Sequence, residues 1–320
     1  MQEPQLYFDN KFGSGCDYHR IVLPYANSNF KPKENVLVFN RVFSLGAEEV
    51  KIAKLKGYKI IVDLDDYYEL NKEHYLAKHF TEHAKVIEEM VKLADVVTVT
   101  TEYLAYKLRH LNRNIVVIKN ALPFDQLQFT LSEDTTSSTP VVWAGGASHE
   151  RDLGLVVNSF PAGLFTIAGY DIYPTAKPGS IECLVHSAWA RVMTKFPASN
   201  YVKAIKDLNT YMSVYNGHQV AIAPLVGNEF NACKSNLKIL EAGAKGLPIV
   251  CSKVLPYYNP VDEKVVIYAE NTFEWKQEVD KLLKNPNYRK DKGEALAEHV
   301  RLHYALEDAN ELRRQVVESL

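Results

Sequence analysis

The sequence predicts an α/β protein of two similar lobes, each a doubly wound, mostly parallel sheet, with a ligand crevice between them. Three observations carry this. Strand-like and helix-like segments alternate through the first 130 residues, a polar Ser/Thr-rich break (TLSEDTTSSTP, 130–140) interrupts them, and the alternation then restarts. A chain of 320 residues is also long for one core and suits about two domains. The expected boundaries are 1–130 for the first lobe, 131–140 for a linker, 141–300 for the second lobe, and 301–320 for a C-terminal helix free to pack back on the first lobe. In open α/β sheets ligands bind at the carboxyl ends of the strands, so two such lobes place the crevice between them.

Taken in order, apolar runs predict strands at 6–8, 36–39, 59–64, 96–100 and 115–118. Helical patterns lie between them at 17–27, 46–56, 73–93 and 102–111. The third is the clearest: Val86, Ile87, Met90, Val91 and Ala94 hold one face, and Glu82, Lys85, Glu88, Glu89 and Lys92 the other. After the break, strands are expected at 141–144, 163–169, 219–223, 247–251 and 265–268. Helices are expected at 150–158, 199–212, 234–245 and 272–284, with a final helical stretch from about 289 to the end. The Pro-, Trp- and His-containing segment 170–198 fits neither period.

Composition narrows the classes. With 47% hydrophobic and 24% charged residues the chain reads as globular. No apolar run approaches a membrane span, and the start MQEPQLYFDN is too polar for a secretory signal, so a cytoplasmic location is expected. Cys16, Cys183, Cys233 and Cys251 are scattered without metal-ligand spacing, which predicts reduced thiols and no metal site. The first 130 residues hold seventeen basic and seventeen acidic residues, the remainder twenty and twenty-two. Neither half shows the basic excess of a protein that holds nucleic acid mainly through phosphate neutralisation.

Four stretches are candidates for chemistry. The loop Gly13-Ser14-Gly15 lets backbone N–H groups approach a phosphate or sugar, or is simply a turn. IIVDLDDYYEL places Asp63, Asp65 and Asp66 at the end of a strand, where their repulsion needs a cation, a hydroxyl or a basic residue to offset it; helix capping and solvated turn carboxylates are the plain alternative. WAGGASHERDL joins a strand to a helix through Gly145, Gly146 and Ser148, with His149, Arg151 and Asp152 at the start of the helix, a setting that favours a diphosphate; His149 by itself is either an exposed capping histidine or a catalytic one. In NACKSNLKILEAGAKGLPIV, Leu237, Leu240 and Ala244 form a core stripe, while Lys234, Lys238, Glu241 and Lys245 recur at spacings of four, three and four on a second face. That second face is either a solvated Lys/Glu stripe or a nucleotide site. In the latter, Lys234, Ser235 and Asn236 supply donors near a positive helix end and Glu241 accepts from ribose hydroxyls.

Together with GSGCDYHRIVLP, ADVVTVTTEYL and VIKNALP, these motifs resemble glycosyltransferases of the two-lobed GT-B fold, in particular the family 4-like group, over most of the chain. The resemblance implies two Rossmann-like lobes with an interlobe cleft and a nucleotide-diphosphate sugar as co-substrate, with no cofactor or metal required. It also implies transfer to an acceptor hydroxyl with retention. Glu241 would bind the donor ribose, with Lys234, Ser235 and Lys238 near the diphosphate. Two positions depart from the family pattern. Cys233 stands at the first Glu of the Glu-x7-Glu spacing, and the His149/Arg151 cluster replaces the usual Arg/Lys pair. The combination of HRIVLP, VDLDD, WAGG-SHERD and CKSNLK is similar to compact phage-encoded glycosyltransferases, some of which modify hydroxymethylated pyrimidines in DNA; a glycan or small molecule is the other acceptor class. The expected roles are therefore Ser14, Gly15, Gly145, Gly146, Arg151, Lys234, Ser235, Asn236, Lys238 and Glu241 at the donor, Arg20 and Arg41 at the acceptor, and Asp63, Asp65, Asp66 and His149 in catalysis. Two alternatives stand beside this: a haloacid-dehalogenase-like phosphatase using Asp63 and Asp65, and a nucleotide-sugar binder without turnover.

Overall fold

The computed structural model describes residues 3–10, 13–26, 28–132, 137, 139–161, 163–197 and 199–320. Of the expected linker 131–140, residues 133–136 and 138 lie outside the described residues, as does Asn27 at the end of the first expected helix. The chain forms two parallel sheets. The first holds β1 (Leu6–Asp9), β2 (Val36–Asn40), β3 (Lys59–Leu64), β4 (Val96–Val99) and β5 (Ile115–Val117) in that spatial order. The second holds β6 (Val141–Ala144), β7 (Phe165–Tyr170), β8 (Asn200–Lys203), β9 (Val220–Ala223), β10 (Ile249–Ser252) and β11 (Ile267–Ala269), ordered β11-β10-β9-β6-β7-β8. Buried on both faces, their central strands read as continuous apolar runs (VLVFN, VVWA, VAIA) rather than alternating ones.

Only the second sheet reverses its strand order, between β6 and β9, as a doubly wound sheet does. The first sheet runs in sequence order without a reversal, which corrects the expectation of double winding there. Both of its faces are nonetheless covered. Helices Ala47–Leu55, Ala77–Leu93 and Glu102–Leu108 pack on one, through Val50, Ile87, Met90, Leu104 and Leu108. On the other lie Ile21 and Tyr25 of the helical segment after β1 together with Leu306, Ala309, Val316 and Val317 of the C-terminal helix Leu306–Ser319.

Three further expectations need correction. The segment 199–212 is not a helix: Tyr201 and Val202 pair with Ile167 and Ala168 as β8, Tyr201 packs against Tyr170, and a 3-10 turn follows at Tyr211–Tyr215. A short mixed apolar pattern fits either period, and the open edge of β7 decided it. The final helical stretch is two helices, Pro286–His303 and Leu306–Ser319. They are broken where the Leu122 N–H donates to the Tyr304 carbonyl and the Leu122 carbonyl accepts from the Leu306 N–H. Within 170–198, Ser180 caps a helix spanning Ile181–Lys195.

The helix Leu237–Ala244 crosses Pro286–His303 at very close range. A Cβ on Gly243 would stand 2.6 Å from Val300, and one on Gly293 would stand 2.2 Å from the Gly246 carbonyl oxygen. Glycine is what lets the two backbones meet. Gly243→Ala and Gly293→Ala are each expected to cost about 1–3 kcal/mol in urea unfolding. Gly154→Ala, whose Cβ would meet nothing within 4 Å, is expected to stay within about 0.5 kcal/mol.

Candidate active site

The carboxyl ends of both sheets face a common cleft. Its first wall is organised by an ion pair in the core of the first lobe. The segment after β1 begins at Ser14, whose side chain accepts from the Asp17 N–H while the Asp17 carboxylate accepts from the Ser14 N–H. It continues through a π-helical stretch, Tyr18–Val22, and Leu23–Tyr25. From it Arg20, fully buried, donates through Nε and Nη2 to the two oxygens of Asp63 at 2.9 and 2.8 Å, and through Nη1 to the Ile118 carbonyl and Asn120. Asp63 also accepts from Thr98 and Asn40.

Asp63 is therefore not a cleft carboxylate. Both of its oxygens are engaged and it is 2% exposed, so it is closed to substrate. That disfavours the phosphatase reading, which needs Asp63 as an exposed nucleophile, and takes Asp63 out of direct contact with an acceptor; Arg20, though without exposed surface, borders the smaller cavity described below.

Asp65 and Asp66 stay at the cleft. Arg41 holds Asp65 at 2.8 Å and Asp66 at 3.5 Å, with its own backbone at φ 58°, an uncommon conformation for a non-glycine residue, fixed by its N–H donating to the Asp63 carbonyl. Burial opposes the Asp65 charge, but Arg41, the Cys16 thiol and Arg20 more than offset it and hold its pKa down to about 2. The repulsion expected among three adjacent aspartates is thus relieved by Arg20, Arg41 and Lys234.

The second wall comes from the turn after β6 and from the helix Leu237–Ala244. At Gly145 a Cβ would lie 2.6 Å from the Trp143 ring, and a Cβ on Gly169 would fall 1.9 Å from the Gly145 oxygen, so this turn tolerates only glycine. His149 follows, its Nδ1 2.7 Å from Asp152, which also accepts from the Val226 N–H and Asn231. That fixes the ring. Arg151 is paired with Glu73 of the first lobe.

The helix begins at Leu237, so Lys234 and Ser235 lie in the turn before it, not on its first turn as the spacing suggested. Lys234 reaches across to Asp66 at 3.1 Å, and Ser235 accepts from Asn120 of the first lobe at 2.7 Å. Asn236 turns away and donates to buried Asp262, which also gathers Asn259, His299 and Tyr304 and so pins the start of the helix. Cys233 does not face the cleft: it is buried among first-lobe apolar side chains, and burial pushes its thiol up to about 12.

Glu241, placed by sequence on a charged face, is 2% exposed. Its carboxylate accepts from Tyr211 at 3.0 Å, Tyr215 at 2.7 Å and Lys238 at 3.1 Å. Burial alone would raise its pKa; Lys238, His19 and the Tyr215 hydroxyl outweigh that and lower it. His19, which the sequence reading passed over, bonds Tyr211 at 2.9 Å from the opposite lobe, and burial holds its pKa down to about 4. The signal was present only as HR in the segment after β1; its partner is 192 positions away.

These two walls enclose a cavity of about 340 Å³. Gly15, His19, Asp65 and Asn120 line it from the first lobe; Gly145, Gly146, His149, Tyr211, Lys238 and Glu241 line it from the second. A second cavity of about 520 Å³ lies beyond the Asp66–Lys234 contact and is lined by Arg41, Arg151, Tyr75 and Phe230 among others. Of the expected site residues, Ser14 serves as a helix cap, while Asp66, Arg41, Arg151 and Lys234 border the second cavity. Among the described residues no three His, Cys, Asp or Glu side chains group as metal ligands, and no helix is long and apolar enough to cross a membrane.

No protein-family model matches the sequence, and no curated protein matches it. Solved structures do share its fold. Sucrose-phosphate synthase from Thermosynechococcus elongatus superposes with a TM-score of 0.63 at 15% identity, covering 88% of this chain and 73% of that one. A UDP-forming trehalose-phosphate synthase from Burkholderia xenovorans gives 0.58 at 12% identity over 89% and 73%. Anabaena HepE, solved with UDP and with UDP and glucose, gives 0.61 at 11% identity over 90% and 79% for the UDP complex. The chain has the two-lobed GT-B fold of these proteins.

Buried His19 makes stability depend on pH. The unfolded chain protonates His19 near 6.5, whereas the folded protein resists protonation until about 4. Protons therefore favour the unfolded state in that window, and stability falls as the pH drops from 6.5 towards 4. The His19 contribution is about 3 kcal/mol. Burial likewise lowers the pKa of His74, His83 and His218, adding to the same slope. Urea unfolding of His19→Gln is expected to lose less stability over this range than the wild type.

Proposed function

We propose that the protein is a glycosyltransferase that moves a sugar from a nucleoside diphosphate to an acceptor hydroxyl. The observation that carries this is the cavity closed by both lobes. One wall offers a glycine turn with His149, together with Lys238 and Glu241; the other offers Gly15 and Asp65. Solved proteins of this fold include one holding UDP and one described as UDP-forming. On this reading the diphosphate lies against the Gly145–Gly146 turn, within reach of Lys238, and the ribose meets Glu241. Lys238 gives one N–H to Glu241 and keeps two for phosphate oxygens. Backbone N–H groups and Lys238 stabilise the charge that develops on the leaving diphosphate.

The acceptor approaches along the Arg41–Asp65 wall. A carboxylate held at about 2 is a weak base, as is an imidazole at about 4, so neither Asp65 nor His19 suits removal of a hydroxyl proton. We assign that proton to the departing phosphate oxygen, which accords with transfer with retention. Asp65 and Arg41 orient the acceptor.

Calorimetric titration with UDP, GDP, ADP and CDP tests the donor site. One of them is expected to bind, and Lys238→Ala or Glu241→Ala to weaken it by about tenfold or more, the loss of a hydrogen bond to a charged group. No binding of any diphosphate, or binding indifferent to both substitutions, overturns the assignment. For the acceptor, hydroxymethylcytosine-containing DNA is incubated with the matching sugar donors. A gain in base mass identifies DNA as the acceptor; an unmodified base with every donor leaves a glycan or small molecule.

A further inference from the structure

The hydrogens around Glu241 can be counted. A carboxylate offers about four acceptor positions, two on each oxygen, and donates none. Oε2 already accepts from the Tyr215 hydroxyl at 2.7 Å and the Lys238 ammonium at 3.1 Å, which fills it. Oε1 accepts from the Tyr211 hydroxyl at 3.0 Å. One position is left, on Oε1.

The surrounding groups cannot release another. Tyr211 has a single O–H, and it is committed to Glu241. The 2.9 Å contact with His19 must therefore be made by the His19 Nε2–H donating to the tyrosine oxygen. Tyr211 is thereby saturated as donor and engaged as acceptor, and Tyr215 has no second hydrogen to give. The three donors to Glu241 all belong to the second lobe, so the count does not depend on how the lobes close. The Glu241 side chain is 3% exposed, which leaves water little access to rearrange it.

We propose that Glu241 reads the donor nucleoside through one hydroxyl only, taking a single ribose O–H at the open position of Oε1 and leaving the neighbouring hydroxyl unread. This rests on the nucleotide-sugar reading of the cleft and adds a specificity to it. A carboxylate free on both oxygens could clamp the two ribose hydroxyls together; here Tyr215 and Lys238 occupy the position the second would need. The site therefore accepts a nucleoside that lacks one of the two hydroxyls, so deoxyribose-containing donors are substrates of the same class.

The test uses the wild-type protein, the ribonucleoside diphosphate that binds tightest among UDP, GDP, ADP and CDP, and its 2′-deoxy and 3′-deoxy forms, titrated by calorimetry. One deoxy form is expected to bind within about threefold of the parent and the other to lose about tenfold or more, the effect of removing a hydrogen bond to a charged group. Tyr215→Phe opens a position on Oε2, and with it both deoxy forms are expected to fall about tenfold below the parent. The proposal is overturned if the wild type loses tenfold with both deoxy forms, or with neither, or if Tyr215→Phe leaves the wild-type pattern unchanged. Failure of all four parent diphosphates to bind instead removes the nucleotide reading itself.

Discussion

The buried pair of Arg20 and Asp63 is the contact on which the cleft is built. It joins the helical segment after β1 to β3, and through Thr98, Asn40 and Asn120 to β4, β2 and the loop after β5. A buried ion pair is weak evidence for net stability, because two desolvation penalties stand against the attraction. Its consequence here is positional. With Arg20 anchored in the core, the adjacent His19 is delivered to the opposite lobe, and Asn120 is oriented to reach Ser235. Removing either partner would leave a lone charge sealed in apolar surroundings and would also unfasten one wall of the site.

The second wall is pinned by other means. The start of the helix Leu237–Ala244 hangs from Asp262 through Asn236, and its C-terminal end is held against Pro286–His303 where Gly243 and Gly293 let the backbones meet. Neither constraint touches the cavity. Both decide where Lys238 and Glu241 stand in it. The site therefore depends on rigid elements for its donors and acceptors, with loops filling in between.

Much of this was legible in the sequence because the physics is local. Runs such as VLVFN and VVWA are apolar throughout only if both faces are covered, so strands and lobes follow directly. The turn WAGG and the helix NLKILEAGAKG announce themselves through glycine and period. What escaped depends on partners far along the chain. Nothing near His19 reveals that Tyr211 will meet it, and nothing near Glu241 reveals Tyr211, in a stretch read as a helix, or Tyr215 just beyond it. The same distance explains Asp63. In the sequence it is one of three similar carboxylates; in the fold the nearest buried guanidinium takes it out of the cleft, and Asp65 and Asp66 stay behind. The strand β8 was missed for the converse reason: its four residues carry too little pattern, and only the open edge of β7 makes them a strand.

The pairing of Lys234 with Asp66 and of Arg151 with Glu73 sets the terms on which an anion can enter. These two cations of the second lobe each face a carboxylate of the first, whereas Arg191 and Lys195 beside them pair with Glu150 of their own lobe. The two contacts tie one wall of the cleft to the other, the half-buried Lys234–Asp66 pair more firmly than the exposed Arg151–Glu73 pair. On the nucleotide reading, an anion seated at this edge would compete with Asp66 and Glu73 for Lys234 and Arg151.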